Sequence, residues 1–149
     1  MGLPLPSTIG QWGVSFTGGT SPGLEKLDTV PAGKYWALKS VQQVLVKGGA
    51  GGTPIPVLQL ANAGGTVFFE SFGAIPGSGQ PVSTTCTYTW APGLTLSACA
   101  GVTTGVHATA PLPDGLILGP GYQIKTSTLN TVGGTSNYST ASYVICELG

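Results

Sequence analysis

The chain contains no arginine, and only 7% of its residues are charged, five lysines against five acids for a formal net charge of zero. Without a guanidinium it lacks the planar two-pronged donor that grips phosphate and carboxylate groups. Without a basic excess it has no field to draw a polyanion, so no nucleic acid is expected as a partner. The one histidine, His107, and the cysteines Cys86, Cys99 and Cys146 fall at spacings that match no zinc pattern. The acids Glu25, Asp28, Glu70, Asp114 and Glu147 do not cluster as a calcium loop demands. No metal and no cofactor are expected. No stretch is long and apolar enough to span a bilayer, so no membrane is expected. The opening Met1-Gly2-Leu3-Pro4-Leu5-Pro6 has neither the basic segment nor the apolar core of a secretory signal, and a reducing compartment is the expectation.

What is abundant is glycine (25), proline (12), serine and threonine, with 41% hydrophobic residues among them. That is too apolar for a disordered chain and too rich in helix breakers for a helical one. The 149 residues suffice for one domain with a core of its own. A surface with so little charge favours association, which suits a subunit of an assembly.

Two segments are expected, an N-terminal arm over 1–23 and a β-sandwich over 24–149. In the arm, large apolar residues (Leu3, Leu5, Ile9, Trp12, Val14, Phe16) are spaced among Pro, Gly, Ser and Thr. Trp12, Val14 and Phe16 alternate as in a short strand, and Leu3, Leu5, Ile9 and Trp12 are the expected partner contacts. From residue 24 onward, short alternating or β-branched runs are punctuated by turn residues. Strands are expected over 24–30, 35–47, 55–62, 66–72, 84–90, 94–99, 112–118, 122–129 and 138–148. The pair 84–90 and 94–99 reads as a hairpin inserted between two halves of the sandwich, within Val82 to Val102. The fold class expected is all-β, an antiparallel sandwich of jelly-roll type with about eight main strands.

Cys86 and Cys99 flank that hairpin. A disulfide between them and three separate buried thiols are both open readings, and the reducing compartment favours the second. Trp12, Trp36, Trp90 and Tyr88 could stack on sugars, but in a sandwich such side chains more often fill the core or a subunit contact. A serine hydrolase would need His107 and Asp114 to converge on one serine, whereas Asp114 is explained by the turn it makes with Gly115. No enzyme is expected.

Two phrases stand out. Val30-Pro31-Ala32-Gly33-Lys34-Tyr35-Trp36-Ala37-Leu38-Lys39-Ser40-Val41 and Leu112-Pro113-Asp114-Gly115-Leu116-Ile117-Leu118-Gly119-Pro120-Gly121-Tyr122-Gln123-Ile124 are each a strand, a Pro-Gly corner and a strand. In these corners, in low charge and in Gly/Thr content, the chain resembles small virion proteins of tailed bacteriophages. The resemblance implies a jelly-roll subunit, commonly a homotrimer, that binds the major capsid protein and decorates or cements the capsid exterior. Its other implied place is in a tail or fibre, as a receptor- or carbohydrate-binding module.

Overall fold

A computed structural model of the chain describes residues 10–14, 27–49, 52–77, 79–99, 106–129 and 137–148. They form ten strands: β1 (Gly10–Val14), β2 (Leu27–Thr29), β3 (Tyr35–Val46), β4 (Ile55–Ala61), β5 (Val67–Phe72), β6 (Thr85–Ala91), β7 (Val106–Pro111), β8 (Ile117–Leu118), β9 (Gln123–Leu129) and β10 (Asn137–Leu148). There is no helix among the described residues.

The strands make two sheets that enclose one apolar core. One has the order β1-β10-β3-β6-β7, with β8 also pairing β3, and the other the order β2-β9-β4-β5. Every pairing is antiparallel except β6 with β7. The strand Gly10–Val14 of the arm pairs with β10, Trp12 opposite Val144. Leu3, Leu5 and Ile9 lie outside the described residues.

In β3 burial alternates in two phases. Trp36 and Leu38 face the core, and so do Val41, Gln43 and Leu45. The change from even to odd positions needs one extra residue. The pairing with β10 supplies it, stepping from Ser40 opposite Val144 to Leu38 opposite Ile145 and leaving Lys39 unmatched. Such a bulge re-phases a strand, so both halves of β3 keep their apolar side inward.

β6 places Cys86, Tyr88 and Trp90 inward, all fully buried. Each aromatic polar tip has a partner. The Trp90 Nε1–H donates to the Ser71 carbonyl at 3.2 Å, and the Ser71 hydroxyl donates to the Pro111 carbonyl at 3.1 Å, tying β5 to β6 and β7. Tyr88 donates to Gln80 Oε1 at 3.1 Å, while Gln80 Nε2 donates to the carbonyls of Leu45 and Thr84 at 2.9 and 2.8 Å. Gly73 lets β5 end against this pair, since a Cβ there would stand 2.8 Å from the Tyr88 ring.

Two expectations are corrected. The hairpin over 84–90 and 94–99 does not form, because both edges of β6 are taken, by β3 and β7. Residues 94–99 are no strand and are held piecemeal, the Ser97 N–H donating to the Thr109 carbonyl at 2.9 Å and its own carbonyl accepting from Ile75 N–H at 3.0 Å. β6 therefore lies inside the six-stranded sheet, between β3 and β7. The strand expected over 112–118 is likewise displaced. Only Ile117–Leu118 of it are strand, Asp114 and Gly115 are turn with Asp114 Oδ1 accepting from Gly115 N–H at 2.8 Å, and a longer strand lies earlier, over Val106–Pro111, where none was expected.

Candidate interaction surface

The two Pro-Gly corners adjoin each other. Val30 N–H donates to the Tyr122 carbonyl at 2.8 Å, and Gly121 N–H donates back to the Val30 carbonyl at 2.9 Å. Further along, Leu38 N–H donates to the Leu116 carbonyl at 3.0 Å, and Trp36 and Ala37 pair with Leu118 and Ile117. The joint is close-packed. Gly121 has φ +79°, and a Cβ there would stand 3.0 Å from the Ala63 Cβ in the β4–β5 turn, which favours glycine on both counts.

This joint carries an aromatic ledge. Tyr35 is 49% exposed, Phe68 49% and Ile117 54%. Phe68 and Tyr122 have ring centroids 5.8 Å apart at 57°, a tilted pair of the sort that the ring quadrupole favours. Gly119 sits between rings: a Cβ on it would lie 3.7 Å from Tyr35 and 3.9 Å from Tyr122.

Phe68 is there because of a bulge. The β4–β5 register runs Leu60 opposite Phe69 and then Ala61 opposite Val67, so Phe68 is left unmatched on the edge strand. A bulged residue is aimed away from the ladder, and bulges gather at sheet edges where they present side chains. Near it, Val67 is 37% exposed, adding apolar surface.

Three of the four aromatics considered for sugar stacking are core: Trp36, Tyr88 and Trp90 are buried. Trp12 lies on β1 at the sheet edge. The ledge residues were not singled out as a site from the sequence. A usable signal was present in Val67-Phe68-Phe69, three large apolar residues in a row where a strand with one wet face would alternate.

For chemistry, His107 is exposed on β7 beside Thr87, and Asp114 serves its turn. Gly19-Thr20-Ser21-Pro22-Gly23 has the Gly-x-Ser-x-Gly spelling of a nucleophile elbow and lies outside the described residues. Among the described residues no three His, Cys, Asp or Glu side chains gather as metal ligands, and no helix is long and apolar enough to cross a membrane.

Among the described residues, nucleophilic side chains gather inside. Cys86 and Cys99 are buried free thiols with sulfurs 3.4 Å apart, and the Tyr88 hydroxyl stands 3.6 Å from the Cys99 sulfur. The Cys86 thiol faces Cys99 and lowers it below the ordinary thiol range, while Cys86 itself is pushed up by that same contact and by burial. Burial pushes the Tyr88 phenol up as well. Comparison with family models, with curated proteins and with solved structures gives no match for this chain.

Proposed function

We propose that the chain is a structural subunit of a tailed-bacteriophage virion, a capsid decoration or cement protein that binds the major capsid protein and works by association rather than catalysis. The observation that carries this reading is the aromatic ledge at the joint of the two Pro-Gly corners, on a chain with almost no charge to keep copies apart. Buried against a second copy, Phe68, Tyr122, Tyr35 and Ile117 supply the apolar anchors that subunit contacts use. The contact is between different patches of neighbouring copies, and three copies close it into a ring, a homotrimer. Leu3, Leu5, Ile9 and Trp12 of the arm add linked contacts to a neighbour or to the shell, raising avidity. The subunit is assembled in the host cytoplasm and sits on the capsid exterior.

The strand order supports a jelly-roll winding within this proposal. With β7 and β8 set aside, the pairs β1·β10, β2·β9, β3·β6 and β4·β5 are nested and all antiparallel. Nested pairing is what results when one long hairpin is rolled into two facing sheets, the two-Greek-key plan. β7 and β8 are then an insertion between the sixth and seventh strands of the roll.

The copy number of the protein in purified particles tests the function, measured by quantitative mass spectrometry against the main shell subunit. A ratio comparable with the shell protein is expected. A few copies per particle would move the protein to a tail or fibre as a receptor- or carbohydrate-binding module, and absence from particles would end the virion reading.

A further inference from the structure

Among the described residues of the crossover that leads from β6 to β7, Ser97 makes two hydrogen bonds to the sheet. It donates its N–H to the Thr109 carbonyl at 2.9 Å and accepts from the Thr109 N–H on its hydroxyl at 2.8 Å. The Thr109 hydroxyl then donates to the Thr95 carbonyl at 2.8 Å. Two residues beyond Ser97, Cys99 turns into the core and is 4% exposed, with its sulfur 3.4 Å from that of Cys86 on β6.

We infer that Cys86 and Cys99 are a disulfide-forming pair, a covalent modification site that clamps the 94–99 crossover to β6 when the protein meets an oxidising medium. Closing the bond needs the sulfurs to approach by about 1.4 Å, from 3.4 Å to the ordinary S–S length. One cysteine lies on a sheet strand and the other on a crossover outside regular structure, so the crossover is the side that can give.

The co-reactant is a low-molecular-weight disulfide such as oxidised glutathione. Cys99, the more exposed of the two at 4% against 0% and the one on the crossover, attacks as a thiolate one sulfur of the co-reactant and releases its other half as a thiolate. Cys86 gives its proton to that thiolate, and its sulfur then attacks the Cys99 sulfur. The second half leaves and takes up a proton from water. Two electrons pass from the protein dithiol to the co-reactant, which ends as two thiols. In a reducing cytoplasm the equilibrium holds the pair open, and outside the cell it closes. The inference does not depend on the virion reading.

The test is made on the whole protein, incubated with oxidised glutathione and unfolded in an alkylating reagent for mass spectrometry. Both cysteines lie between Lys47 and Lys125 with no Lys or Arg between them, so trypsin cannot separate them and chymotrypsin, cutting at Tyr88 and Trp90, is used. The expected result is loss of two alkylatable thiols in the wild type and in Cys146→Ser, with a Cys86–Cys99 linked peptide pair. A reductant-sensitive rise in Tm of roughly 5–10 °C accompanies it. Retention of all three thiols, a stable mixed disulfide with glutathione at Cys99, or a bridge to Cys146 would each overturn the inference.

Discussion

Aromatic side chains have two fates in this molecule, and position in the sheet separates them. Tyr88 and Trp90 stand on β6, flanked by strands on both edges and covered by the opposite sheet, and both are fully buried with their rings 6.4 Å apart. Phe68 stands at a bulge on the edge strand β5, and Tyr35 and Tyr122 stand at corners where a strand begins. The buried pair has partners for its polar tips from loops and the facing sheet. On the ledge, Phe68 and Tyr35 are about half exposed, and Tyr122 packs between Phe68 and the core. Ring burial in the first region holds the fold together, and ring exposure in the second leaves apolar area at the surface.

Substitutions break this comparison in graded fashion. Trp90→Ala should cost the most, about 3–5 kcal/mol, from lost burial, the cavity left behind and the orphaned Ser71 carbonyl. A urea melt reads it as a fall in midpoint. Tyr88→Phe should cost about 1–2 kcal/mol at neutral pH, because Gln80 Oε1 keeps its burial and loses its donor.

Tyr88 also sets an alkaline limit. Its phenol is pushed up in the folded chain, so that contribution is intact below the ordinary tyrosine range, near pH 10, and lost as pH rises above it. The unfolded chain then releases a proton that the folded chain keeps. Unfolding midpoints measured from about pH 8 to 11 should fall more steeply for the wild type than for Tyr88→Phe.

Gln43 should show the opposite sign. It is fully buried on β3, opposite Tyr88 in the pairing, and neither amide atom has a hydrogen-bond partner. Gln43→Met keeps much of the volume and removes two unsatisfied polar atoms, so a gain of about 1 kcal/mol is expected in the same melt. On the ledge, Phe68→Ser should change folding stability least, by about 1 kcal/mol or less, since half of the ring is already in water.

Much of the sandwich was legible because β-branched and alternating runs between glycine corners carry their own period. Tyr35–Val46, Ile55–Ala61 and Gln123–Leu129 fall within a residue or two of their expected bounds. Where pairing partners decide, the sequence is mute. Residues 94–99 have the composition of a strand, but both edges of β6, their expected partner, are taken, while Val106–Pro111 holds a histidine and a proline and is a strand because β6 offers it an edge. The ledge was half legible. Its corners are written in Gly119, Pro120 and Gly121, but its central residue depends on a one-residue register slip in β5 that only the pairing with β4 reveals. The proximity of Cys86 and Cys99 likewise follows from the crossover returning over β6, not from the hairpin expected between them.

The most direct test of the central claim is sedimentation velocity of the purified wild type and of Phe68→Ser/Tyr122→Ser across a micromolar concentration range. A trimer is expected for the wild type and a monomer for the double variant, whose urea midpoint is lower because Tyr122 also packs against the core but whose unfolding remains cooperative, which shows that it is folded. A wild type that stays monomeric, or a folded double variant that stays trimeric, would contradict it.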